Sequence, residues 1–153
     1  MFSNKIALTS AVLAVASIAS AAPLDSRAPP AGCSEAARFG TFSVQPASAK
    51  IGDELTVTYT QRCADYANIH PTSLSLTLGA NQIPFAVIEE NKAYPGDGKT
   101  LTFTTTVPDT YAPAHVDPSK LNLWGTIKFN QPGPKGKEAT HLYNFSQNFA
   151  LTQ

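Results

Sequence analysis

An all-β fold is predicted by this sequence, and three observations favour it. Apolar residues alternate with Thr and Ser over several short segments, which is the period of a strand with one buried face. Clusters rich in Gly, Pro and Asn separate these segments. Only 14% of the residues are charged, so uncharged polar side chains must meet the solvent. About seven strands in one domain predict an immunoglobulin-like antiparallel β-sandwich, with a small barrel as the alternative.

Seven segments carry the strand period. The alternation is regular in four of them, at 55–60, 73–78, 101–107 and 143–151, although Gln147 interrupts the apolar positions of the last. It is less regular in the other three, at 39–45, 83–89 and 121–129. Turn-forming residues lie between the segments, at 46–52, 79–82, 94–99, 108–118 and 131–136.

Residues 1–21 have the layout of a secretory signal peptide: Lys5 near the start, a short apolar run, and small residues before the cleavage site. The run is shorter than the roughly 20 residues that cross a bilayer, and the C-terminus has no apolar tail for a lipid anchor. We therefore expect a secreted, extracellular protein. We expect residues 22–32 to form a Pro-rich flexible leader, in which Arg27 offers a lone basic processing site, and 33–153 to form a single domain.

The mature chain has two cysteines, Cys33 and Cys63. An oxidising compartment favours one intrachain disulfide between them, with free thiols or intermolecular bridges as the alternatives. In the chain-entropy model, closing this loop would raise the free energy of unfolding by roughly 3–4 kcal/mol. Asn144 opens the only N-glycosylation sequon, Asn-Phe-Ser, whose occupancy depends on exposure of that face.

The charge balance limits the class of partner. The chain carries 11 basic and 11 acidic residues, and removal of the signal peptide takes away Lys5 alone, which leaves a net charge near −1. A nucleic-acid-binding protein would show a basic patch, and a protein drawn to anionic membranes would show basic clusters. We expect neither a nucleic-acid nor a membrane partner, and a monomer.

Five segments resemble one known family. The Val-Gln-Pro at 44–46, the Gly turn at 51–53 and the Thr-alternating strand at 54–60 resemble the opening of the KNH-type domain of fungal cell-wall glucan-assembly proteins and Ser/Thr-rich anchored surface proteins. The strand at 73–78 and the Thr-Phe-Thr-x-x-Val-Pro strand end at 102–108 extend the resemblance. The Thr/Ser-rich anchored tail of that family is missing. The resemblance implies a secreted, wall-associated fungal protein and supplies no catalytic residues.

No catalytic motif is recognisable. The chain has no Gly-x-Ser-x-Gly elbow, His-Glu-x-x-His helix or phosphate-binding glycine loop. The histidines, His70, His115 and His141, stand alone in sequence, so we expect no metal site and no cofactor. We therefore predict that the protein is not an enzyme, and a hydrolase or metal enzyme with a hidden site is the least favoured alternative.

The loops are the better place for a binding site. If successive strands run antiparallel, the connections 61–72, 90–99 and 130–140 share one end of the sandwich. They would bring together side chains suited to a carbohydrate or protein contact, with Asp65 beside them: Tyr66, His70, Tyr94, Asp97, Lys135 and Lys137. The alternative is that these are ordinary polar loop residues.

Trp124 is the only tryptophan, and it lies on the face opposite to Leu123 and Ile127. It either packs on the sheet beneath a loop or forms an exposed stacking platform for a sugar. The sequence thus favours a secreted, non-catalytic binding or structural protein that contacts polysaccharide of the fungal cell wall. The alternative is a secreted effector that binds a host extracellular protein in virulence or symbiosis.

Overall fold

A computed structural model describes residues 30–109, 116–132 and 138–152 and confirms the all-β sandwich. The strands within these residues are β1 (Thr41–Gln45), β2 (Ser48–Ala49), β3 (Glu54–Thr60), β4 (His70–Ala80), β5 (Ile83–Ala93), β6 (Thr100–Thr106), β7 (Leu121–Pro132) and β8 (Glu138–Leu151). They form a three-stranded sheet in the order β1-β3-β6 and a five-stranded sheet in the order β2-β8-β7-β4-β5. A short helix, α1 (Ala64–Ala67), follows β3.

Every strand pair is antiparallel within the described residues except one: β2 runs parallel to β8. This arrangement, with the first two strands divided between the sheets, is that of an immunoglobulin-like sandwich. Strand β2 adds an eighth strand to the seven expected. Its two residues, Ser48 and Ala49, are too few to show a period in the sequence.

The expected hairpin between β4 and β5 is present. Asn81 and Gln82 connect the strands, and both have positive φ angles, 49° and 66°. Two residues in this conformation form a type I′ turn, whose twist matches that of the flanking strands. The turn fixes the register in which Ala80 faces Ile83 and Gly79 faces Pro84.

The core lies between the two sheets. Leu74, Leu76 and Leu78 of β4 are fully buried, as expected from their alternation, and they pack in one cluster with inward residues of β3 and β7. Strand β7 brings Gly125 to this inner face, where a Cβ atom would overlap the ring of Phe42 from the smaller sheet. The glycine therefore allows the two sheets to approach each other closely at this point.

The expected disulfide, Cys33–Cys63, is present and joins Cα atoms 5.7 Å apart. It ties the 3₁₀ turn at Glu35–Ala37 to α1, for which Cys63 is the N-cap residue. The bond therefore anchors the connection between the two sheets. The expected signal peptide (1–21) and most of the leader (22–32) lie outside the described residues. Among the described helices, none has both the length and the apolarity needed to span a membrane.

Candidate functional site

The connections on either side of α1 and between β5 and β6 meet at one end of the sandwich, as the sequence predicted. We call this end the disulfide pole and define it as residues 61–70 and 94–99. His70 Nδ1 lies 2.7 Å from Asp97 Oδ2. The third connection begins at the same end, because Gln131 Nε2 donates to the Asn68 carbonyl at 3.0 Å.

Gln61 holds the disulfide pole together, and none of its surface is exposed. Its side-chain amide donates to the Arg38 carbonyl at 2.7 Å and accepts from the Cys63 N–H at 2.9 Å. Its backbone N–H donates to the Tyr94 hydroxyl at 3.0 Å, and its carbonyl accepts from the Gly98 N–H at 2.9 Å. Because all of these groups are paired, the three segments around Gln61 are fixed to one another.

The prediction that Tyr94 belongs to the contact surface at this end is wrong, because the side chain is buried. Its ring enters the core and meets Tyr59 edge-on, with centroids 5.3 Å apart. Its hydroxyl donates to the Lys99 carbonyl and accepts from Gln61, and burial raises the pKa of the phenol. Tyr94 therefore positions the 94–99 turn, and its ring is not available to a ligand.

Among the other residues expected at this end, Tyr66 lies on α1 and is 39% exposed. Lys135 and Lys137 lie outside the described residues. His70 and Asp97 are both accessible, with side chains 43% and 41% exposed. The structure thus brings His70 and Asp97 together at the surface.

Asp65, on α1, completes a cluster with His70 and Asp97. One ligand atom from each of the three lies within 4.8 Å of the others. The sequence predicts Asp65 in this neighbourhood, but His70 stands alone in sequence and shows no ligand spacing there. The available signal was that each residue belongs to a connection at the same end of the sandwich.

A second surface lies on the outer face of the five-stranded sheet. We call it the Trp124 groove: an open depression of about 430 Å³ beside Trp124, whose other lining residues include Thr77, Gln82, Pro84, Thr126, Asn144 and Ser146. No Asp, Glu, Lys or Arg lines it among the described residues. Its polar groups are hydroxyls and amides, and the Thr126 hydroxyl donates to Asn144 Oδ1 at 2.7 Å.

Trp124 combines features of the two roles considered for it. The indole lies against Gly79, where a Cβ atom would overlap the ring, and the side chain is half-buried. The remaining surface of the ring lines the groove. Because Gly79 has no side chain, the indole packs directly against the sheet and still leaves part of its surface exposed to solvent.

The sequon shares this surface. Asn144 and Ser146 are both exposed, and both line the Trp124 groove, while Phe145 between them points inward against Phe42. A glycan on Asn144 would therefore begin inside the groove.

Two surfaces of the sandwich thus carry side chains suited to a ligand. Along β4 they are seven residue steps apart, from His70 to Thr77, which is about 23 Å in an extended strand. The assignment of function depends on the chemistry of these surfaces. Comparison with protein-family models, curated proteins and solved structures finds no match for this chain.

Proposed function

We propose that the chain is a secreted, non-catalytic protein that binds cell-wall polysaccharide through the Trp124 groove. One observation carries this proposal: an indole and a set of uncharged hydroxyl and amide groups line the same open depression. An aromatic ring offers an apolar face to the C–H face of a pyranose, while hydroxyls and amides match the sugar hydroxyls.

The rigidity of the groove supports binding. Trp124 and Thr126 lie on β7, a central strand that pairs with β4 on one side and with β8 on the other. Thr126 is hydrogen-bonded to Asn144 on β8. Side chains held on paired strands lose little freedom when a ligand binds, which favours affinity.

The absence of carboxylates from the described lining supports binding rather than cleavage. Most glycosidases need two carboxyl groups on either side of the scissile bond. The groove has none among its described lining residues, so a bound glycan would meet neither a general acid nor a nucleophile of that kind. We infer a protein that holds polysaccharide without cleaving it.

Secretion is part of the proposal. It is supported by the signal-peptide layout of residues 1–21 and by the Cys33–Cys63 disulfide, a bond that persists mainly in oxidising compartments. The KNH-type resemblance points to the fungal wall as the place of action.

The test is retention on insoluble β-glucan, chitin and cellulose. The mature domain would be made in a bacterial periplasm, where the disulfide forms and no N-glycan is attached. We expect Trp124→Ala and the isosteric Thr126→Val to lower retention at least fivefold, and Tyr66→Ala at the disulfide pole to leave it unchanged. If Trp124→Ala fails to fold, Thr126→Val still tests the groove with a side chain of the same shape. Melting curves of each variant check the fold. Failure of all three polymers to retain the unmodified domain would overturn the proposal.

A second candidate function is binding of a host extracellular protein, and the edge strand β5 favours it. β5 is the last strand of the larger sheet, and its Ile83 and Val87 are 66% and 63% exposed. An exposed edge with apolar side chains can accept a strand from a partner. Glu89 and Glu90 on the same strand are the charges that would limit unspecific pairing.

This candidate predicts a different set of effects. A partner bound at β5 would co-purify from host extracellular fluid with the wild-type domain and with Leu142→Lys, which changes an exposed residue of β8. Val87→Lys would abolish the co-purification, while Trp124→Ala would not. If Val87→Lys had no effect, the edge strand would not be the contact surface.

A further inference from the structure

Three side chains that could serve as metal ligands converge at the disulfide pole. Asp65 comes from α1, His70 is the first residue of β4, and Asp97 lies in the turn before β6. Their ligand atoms all lie within 4.8 Å of one another, and His70 Nδ1 is 2.7 Å from Asp97 Oδ2. A surface hydrogen bond accounts for the contact between His70 and Asp97, but it does not account for the second carboxylate, that of Asp65.

These separations are close to those around a divalent ion. Two ligands on a tetrahedral zinc ion with bonds of about 2.1 Å are about 3.4 Å apart. His70 Nδ1 and Asp97 Oδ2, 2.7 Å apart, would separate by less than about 1 Å to admit such an ion between them. The ligand atom of Asp65 lies within 4.8 Å of the other two, so a bound ion would draw its carboxylate inward.

The local charge also favours a cation. Asp65 and Asp97 bring two carboxylates together, and no lysine or arginine forms an ion pair with either in the described part of the chain. A divalent ion would offset the repulsion between the two carboxylates.

The segments that carry the ligands are anchored. Cys63 begins α1 and is held by the disulfide, and Gln61 accepts a hydrogen bond from Gly98, the residue after Asp97. Tyr94 fixes the start of the same turn through its hydroxyl. An anchored ligand set loses less conformational entropy when it takes up an ion than a set on free loops would.

We propose that Asp65, His70 and Asp97 bind one divalent first-row transition-metal ion, with zinc preferred over manganese and calcium. One imidazole nitrogen and two carboxylate oxygens form a mixed ligand set, and imidazole selects against ions that prefer oxygen ligands alone. Three protein ligands at an exposed position leave at least one coordination position for water or for a group from another molecule. The site is separate from the Trp124 groove and does not depend on its function.

The test is calorimetric titration of the domain with zinc, manganese and calcium chlorides in turn. We expect one zinc ion per chain, with the affinity lowered at least tenfold in Asp65→Asn, Asp97→Asn and His70→Gln. His141→Gln, on β8, and Asp53→Asn, before β3, are matched controls that should bind zinc as the wild type does.

A second readout keeps the test independent of heat signals. Zinc should raise the melting temperature of the wild type and of His141→Gln more than that of Asp97→Asn at the same zinc concentration. It should also shift the imidazole proton resonances of His70 and not those of His141. The proposal is overturned if the wild type takes up no zinc, or if zinc binds with the same affinity in all three ligand variants.

Discussion

The side-chain amide of Gln147 forms two hydrogen bonds with the backbone of Val44 in the opposite sheet. Gln147 Oε1 accepts from the Val44 N–H at 2.8 Å, and Nε2 donates to the Val44 carbonyl at 2.6 Å. β1 is an edge strand of the three-stranded sheet, so Val44 has no strand partner on that side. The amide takes the place of a neighbouring strand and connects the two sheets.

We predict that Gln147→Leu lowers the free energy of unfolding by about 1–3 kcal/mol, the usual cost of buried backbone groups left without partners. Leucine fills a similar volume, but the N–H and carbonyl of Val44, which is fully buried, lose their partners. Urea unfolding monitored by fluorescence measures the change. Asn148→Ala is the control on the exposed face and should stay within about 0.5 kcal/mol of the wild type. Equal losses in the two variants would contradict the role of Gln147.

Gly125 and Phe42 form a second contact between the sheets, and it is steric. Because a Cβ at position 125 would overlap the Phe42 ring, we expect Gly125→Ala to destabilise the fold by about 1–3 kcal/mol, as overpacked cores do. A smaller residue at position 42 should relieve the overlap. The Gly125→Ala and Phe42→Leu double mutant should therefore lose less stability than the two single variants together. Additive losses would show that the two residues are not coupled.

Two buried tyrosines make stability sensitive to high pH. Burial is the main cause that raises the pKa of both Tyr59 and Tyr94 above the ordinary 10.0. Above that pH the unfolded chain loses these protons while the folded chain keeps them, so stability is complete below about pH 10 and falls as the pH rises. Above about pH 10, the melting temperature should fall less steeply with pH in Tyr94→Phe than in the wild type. The variant should nevertheless melt at a lower temperature at neutral pH, because the hydrogen bonds of the Tyr94 hydroxyl are lost. Tyr66→Phe, at an exposed position, should follow the wild-type slope.

The sequon predicts a competition at the Trp124 groove. Protein made in a glycosylating host should carry an N-glycan on Asn144, which mass spectrometry of the intact chain would detect. Because Asn144 lines the groove, the glycan should lower retention on polysaccharide, and enzymatic removal should restore it. Retention that is the same before and after removal would mean that the polysaccharide binds elsewhere.

The sequence predicted most of the strands because each needs one face buried in a common core. The Leu74, Leu76 and Leu78 series is buried as its period requires. Gln147 occupies an apolar position of β8, and only the nearby edge of β1 explains why an amide belongs there. Local pattern carries no information about such contacts between sheets.

The disulfide pole was predictable as a neighbourhood but not in its details. Antiparallel strands bring alternate connections to one end, so His70 and Asp97 could be expected near each other. Tyr94 follows a strand in a Gly- and Pro-rich turn, which indicates exposure, yet its ring enters the core next to Tyr59. The convergence of Asp65 depends on the conformation of α1, which four residues are too few to predict.

Gly79 decides whether the Trp124 indole can lie against the outer face of the sheet. A larger residue there would overlap the Ile83 carbonyl and displace the Trp124 indole. The alternation of Leu and Ser in the sequence of β4 would not change. Two such sequences would align well and share a fold, yet differ in whether the outer face carries the Trp124 groove. Glycine at position 79 together with tryptophan at position 124 is therefore a better criterion for the presence of this groove than either residue alone or the strand pattern.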